Sequence, residues 1–102
     1  MTRMTTADCQ ISRSAFSDER VFRITLDGSE HVGAASANYC RKNDGSPLAG
    51  DEPPANRRIK GKVAARVVSS SGDILCVSLP DGEVVNVNSN QLGQEVPADV
   101  FV

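Results

Sequence analysis

The chain has 102 residues, enough for one small domain that buries roughly two-thirds of its unfolded surface. Its 11 basic and 13 acidic residues leave a net charge of -2, which excludes a polycation driven to phosphate by overall charge. An apolar fraction of 39% with no Trp describes a lean core, and no apolar run is long enough to span a bilayer.

The N-terminal stretch M-T-R-M-T-T-A-D-C lacks the apolar region of a secretory signal. Cys9, Cys40 and Cys76 are odd in number, far apart and without C-x-x-C spacing. Free thiols in a reduced cytoplasm are the simplest account, and a disulfide in a secreted chain is the less favoured one. The expected location is cytoplasmic.

In chain order, residues 1–8 are polar and read as a frayed terminus. Cys9 to Phe16 is the first expected strand, followed by a polar break at Ser17-Asp18-Glu19-Arg20. Val21 to Leu26 alternates, with Phe22, Ile24 and Leu26 inward and Val21, Arg23 and Thr25 outward. Asp27-Gly28-Ser29 is a turn, Glu30 to Ala34 returns as a strand, and Ser36 caps a short helical turn through Cys40. Residues 43–56 hold three of the five prolines and two glycines, which predicts a mobile loop. The basic run Arg57-Arg58-Ile59-Lys60-Gly61-Lys62 leads into the most informative stretch, Lys62–Leu92: a β-branched run, a polar turn, a second run, Pro80-Asp81-Gly82, and a third run.

The Pro80-Asp81-Gly82 turn sets a register. As a three-residue loop it places Val77 opposite Val85 and Leu75 opposite Val87 on one apolar face, whereas a two-residue Asp81-Gly82 loop pairs Val77 with Asn86 and spoils it. Pro80 suits the first loop position through its fixed φ, and Gly82 suits the left-handed last one. Ser89 to Gly93 reads as one helical turn with Ser89 as cap, and the apolar tail Val96–Val102 reads as a last strand or an edge pairing.

Shifting the chain by 53 residues aligns Phe22–Leu26 with Leu75–Leu79, Glu30 with Glu83, Val32 with Val85 and Ser36 with Ser89. Each half then reads as three strands and a helical turn, a pseudo-repeat across the 43–56 loop. Six short strands with almost no helix predict one all-β domain over residues 1–102. It is either a small barrel of SH3-like size or two packed three-stranded meanders.

Chemistry is sparse. His31 and Cys40 are the only base and nucleophile on offer, and a cysteine-dependent enzyme is the least favoured reading because nothing between them resembles an oxyanion site. Glu30 and Glu83 read as solvated turn residues rather than paired acid–base carboxylates. No His/Cys/Asp/Glu spacing suits a metal, and no cofactor is expected.

Charge asymmetry is the remaining signal. Residues 41–66 carry Arg41, Lys42, Arg57, Arg58, Lys60, Lys62 and Arg66 against three acids, whereas residues 67–102 carry five acids and no base. The favoured expectation is a non-catalytic interaction or adaptor module that binds another protein. Its contacts are the loop with its basic flank (Tyr39, Arg41, Lys42, Arg57, Arg58, Lys60, Lys62) and the tail (Val100, Phe101, Val102), as a monomer or a tail-mediated homodimer. The alternative is a weak nucleic-acid binder using the 41–66 patch. Phe16 and Phe22 read as core, which leaves Tyr39 as the surface aromatic for stacking.

Overall fold

A computed structural model describes residues 3–96; the tail contacts expected at Val100, Phe101 and Val102 lie outside the described residues. The fold is all-β, a curled antiparallel half-barrel. Its strands are β1 (Arg3–Arg13), β2 (Glu19–Leu26), β3 (Ser29–Ser36), β4 (Cys40–Lys42), β5 (Ile59–Ser71), β6 (Ile74–Ser78) and β7 (Val84–Asn88). They run side by side as β3-β2-β1-β5-β6-β7, with β4 also on β5.

Two long strands, β1 and β5, form the spine, paired from Arg3↔Val67 to Ile11↔Ile59. Each also divides its outer edge. β1 gives Gln10–Arg13 to β2, while Met4 and Ala7 bridge to Val96 and Leu92. β5 gives Gly61–Val63 to β4 and Arg66–Ser71 to β6. The row Cys40–Val63–Ala7–Leu92 therefore crosses the whole spine, with Ala7 and Val63 at its centre and fully buried.

This row shows the two halves to be topologically equivalent. Each has a long strand, a hairpin, a 3₁₀ turn and a return onto the other half's long strand. The first 3₁₀ turn is Ala37–Tyr39 and the second Ser89–Gln91. The spacing between matched residues is not constant, 56 from Ala7 to Val63 and 52 from Cys40 to Leu92, and the turns differ too, two residues in the first hairpin and three in the second. Leu26 pairs Ser29 around Asp27-Gly28, whereas the Leu79 N–H donates to the Glu83 carbonyl around Pro80-Asp81-Gly82. Gly82 takes φ +88° there, and Val77 faces Val85 and Leu75 faces Val87, as the turn chemistry requires.

Alternation builds the core. Phe22 and Ile24 on β2, Ala7 and Ile11 on β1, and Val63 on β5 point into the curl, and Leu26 is partly buried beside them. Arg20 shares that inward face. Its guanidinium is buried and donates to the carbonyls of Ser17 (2.7 Å), Glu19 (2.8 Å) and Leu48 (3.0 Å), while its Nε has no partner.

Several expectations need correction. Residues 3–8 are not a frayed end but half of a central strand, because Thr5 is buried and its hydroxyl donates to the carbonyls of Gly93 (2.7 Å) and Gln94 (3.1 Å). β1 stops at Arg13, so Phe16 falls in the β1–β2 turn and is 65% exposed rather than core. The second 3₁₀ turn is capped by Asn88, whose N–H donates to Gln91 Oε1 at 2.9 Å, rather than by Ser89. Among the described residues the strands number seven, not six, and two of them are long. Where composition pointed to a mobile loop, residues 43–56 are tied to the core: Leu48 and Pro53 are buried, and Leu48 N–H donates to the Cys40 carbonyl.

Candidate functional site

The sheet ends at β3 on one side and β7 on the other, and the curl brings these ends together without backbone pairing between them. Among the described residues two side-chain hydrogen bonds hold the seam. His31 on β3 meets Asp81 of the β6–β7 turn, Nε2 to Oδ2 at 2.8 Å, and Gln91 Nε2 donates to the Thr25 carbonyl at 2.7 Å. Asp81 lies over Gly33, where a Cβ would also stand 2.7 Å from Phe22 Cζ, so glycine makes this approach feasible. Along the seam is a cleft of about 660 Å³, lined by Leu26, Ser29, Ile74, Val84, Asn86 and Asn88 among others. Ile74 and Val84 are large apolar side chains left 44% and 55% exposed.

The backbone of β7 faces the same opening. Leu79 and Glu83 are a hydrogen-bonded pair, so antiparallel alternation sends the N–H and C=O of Val84 and Asn86 off the free edge. The sequence of that edge, V-V-N-V-N, holds no charge and no proline.

Of the basic residues expected at the contact, Arg41, Lys60 and Lys62 fall on the other, outward side of the spine. Cross-strand pairing gives the rows Arg41–Lys62–Asp8, Lys60–Gln10–Arg23 and Ser78–Arg66–Met4. The carboxylate among them is Asp8, which pairs Lys62 at 2.7 Å. Tyr39, 39% exposed, lines a shallow concavity with Ala64 and Arg66 on this side. Lys42 is drawn off to an ion pair with Asp51 in the loop, which raises the lysine's pKa.

Arg57 and Arg58 belong to a different arrangement, one that the sequence did not signal. With Ser12, Arg13, Arg23, Ala55 and Asn56 they line a concavity of about 360 Å³ that holds four arginines and, among the described residues, no carboxylate. Arg13 and Arg23 come from strands far away in the chain, so only the β1–β2 and β1–β5 pairings could reveal the cluster.

His31 and Cys40 are not in hydrogen-bond contact with each other. Cys9 and Cys40 are buried, and burial pushes the Cys40 thiol up to about 11 despite the opposing charges of Arg20 and Arg41. Burial raises Cys9 further in the same direction. His31 contacts Asp81 and the Phe22 ring, while the Cys40 thiol faces the Ser36 carbonyl at 3.8 Å. Among the described residues no group of three or more His, Cys, Asp or Glu is placed to hold a metal, and no helix is long and apolar enough to cross a membrane. No protein-family model, curated protein or solved structure matches the chain.

Proposed function

We propose that the protein is a non-catalytic interaction module of the reduced cytoplasm, and that it takes an extended segment of a partner protein as an added strand on β7. The observation that carries this is the unprotected edge beside a cleft. Sheet edges are normally blunted by charge, proline or cover, because unpaired N–H and C=O groups recruit other strands. Val84 and Asn86 offer such groups, and half-exposed Ile74 and Val84 offer apolar contacts for alternate side chains of an incoming strand. The free thiols Cys9, Cys40 and Cys76 suit a reducing compartment.

The test is selection of binding peptides from a displayed library, followed by amide hydrogen exchange of the complex. Bound peptide is expected to protect the amides of Val84 and Asn86. Two variants, Val84→Lys and Asn86→Pro, are expected to abolish binding; the Asn86 N–H points off the edge, so proline there spares the β6–β7 ladder. Binding that survives both variants removes the seam as the site.

A second reading, a weak nucleic-acid-binding surface, draws support from the outward rows. They join Arg23, from outside the 41–66 run, to Lys60, Lys62, Arg41 and Arg66, with Tyr39 beside them as a stacking platform. A gel shift with single-stranded RNA and DNA at low salt decides it: no retardation sinks this reading and leaves the seam untouched.

A further inference from the structure

Arg13, Arg23, Arg57 and Arg58 converge on one concavity, and we propose that it is an oxyanion site for a phosphate monoester group, independent of strand addition at the seam.

Electrostatics favour a bound anion in this hollow. None of the four guanidinium groups forms an ion pair with another described residue. Three are instead held by neutral acceptors. Arg13 Nε donates to the Pro53 carbonyl, Arg23 to Ser12 Oγ at 3.3 Å, and Arg58 to Gln10 Oε1 at 3.4 Å. Such contacts fix the side chains while leaving their charge uncompensated. Arg57 has neither a hydrogen bond nor an ion pair among the described residues. Like charges gathered around one hollow repel each other, and a bound anion removes that cost while gaining charge-assisted hydrogen bonds. In a chain of net charge -2, four cations are concentrated where no carboxylate of a described residue lines the wall.

The hollow is also held in shape by the fold. The buried Pro53 anchors the segment that carries Arg57 and Arg58. Asn56, immediately before them, adopts φ +62°, a left-handed conformation that costs a non-glycine residue free energy. Of the non-glycine residues described it alone has a positive φ, and it turns the chain beside the β1 end that supplies Ser12 and Arg13. Guanidinium forks match tetrahedral oxyanions by paired N–H donors, which favours phosphate over a spherical halide. A volume of about 360 Å³ accommodates a phosphate together with a small organic group.

Because Arg23 also belongs to the outward rows, the experiment separates a discrete site from a diffuse polyanion surface. Arginine Nε–Hε resonances are followed by NMR at low ionic strength during titration with inorganic phosphate, with a phosphate monoester, with chloride, and with a single-stranded oligonucleotide. The expected result is saturable shifts with phosphate and the monoester but not chloride. The dissociation constant is expected to rise about tenfold or more in Arg57→Gln/Arg58→Gln and stay unchanged in Lys62→Gln. Arg57 and Arg58 are exposed, so the double variant folds, and its amide spectrum confirms this. Shifts that fail to saturate, or that chloride reproduces, overturn the proposal. Oligonucleotide binding that Lys62→Gln weakens as much as the double variant does, with no saturable phosphate response, also overturns it and assigns the arginines to a nucleic-acid surface.

Discussion

His31 and Asp81 join the two halves of this molecule across a seam that no backbone hydrogen bond between described residues closes. Their 2.8 Å contact links β3 to the β6–β7 turn, with the side chains only 17% and 14% exposed. Asp81 does two jobs at once, since its other oxygen accepts the Glu83 N–H at 3.0 Å and shapes the three-residue turn. Turn geometry in one half thus positions the group that binds the other.

Removing either partner, by His31→Ala or Asp81→Ala, is expected to cost about 1 kcal/mol each, with the double variant costing less than the sum. Urea unfolding of the four proteins measures the coupling. Strict additivity would mean that the contact contributes nothing to closure.

Gly33→Ala is expected to destabilise by about 1–3 kcal/mol, because the new Cβ collides with Asp81 and the Phe22 ring. The affected resonances should be those of the seam. An unchanged midpoint would show that the two halves do not approach there.

Gly82→Ala is expected to cost about 1 kcal/mol, since φ +88° is open to glycine and strained for alanine although nothing blocks the added methyl group. The control is Gly93→Ala, which lies outside the left-handed region and meets Thr6 Oγ1 instead. Equal stability of Gly82→Ala and the parent would contradict the three-residue loop.

Arg20→Ala is expected to lose about 3 kcal/mol, because it leaves a cavity and strands the carbonyls of Ser17 and Leu48. Arg20→Met fills the space and is expected to lose less, because the buried charge and its unpartnered Nε disappear with the hydrogen bonds. A methionine variant no more stable than alanine would show that an apolar side chain cannot refill the space that Arg20 occupies.

The thiols make a prediction about pH. Folding raises Cys40 from its ordinary value of 9.0 to about 11, so the folded state holds the proton more tightly than the unfolded state. The associated stability is fully present below about pH 9 and is lost as pH rises towards 11. Chemical unfolding across that window should show a decline that Cys9→Ala/Cys40→Ala reduces. Native protein at pH 8 should label at partly exposed Cys76 and leave Cys9 and Cys40 unreacted until it unfolds. Rapid native labelling of Cys40 would contradict its burial.

What the sequence determined by itself is local. Alternation placed Phe22 and Ile24 inward, and Pro80-Asp81-Gly82 set Val77 against Val85, because side-chain period and turn φ angles act within a few residues. The shift of 53 residues matched the first hairpin strands, Phe22–Leu26 with Leu75–Leu79, but set Val32 on Val85, whereas the pairings set His31 there because the two turns differ by one residue. Tertiary structure alone decided the rest. Thr5 looked like a polar end residue and is buried because it reaches Gly93, whereas Phe16 looked like core and is exposed because β1 ends three residues earlier. Arg13 and Arg23 joined Arg57 and Arg58 through strand pairings that no periodicity encodes. Which strands become neighbours, which edges stay open and which charges share a hollow are set by contacts between distant residues. Those contacts depend on the curl of the whole sheet rather than on any segment of it.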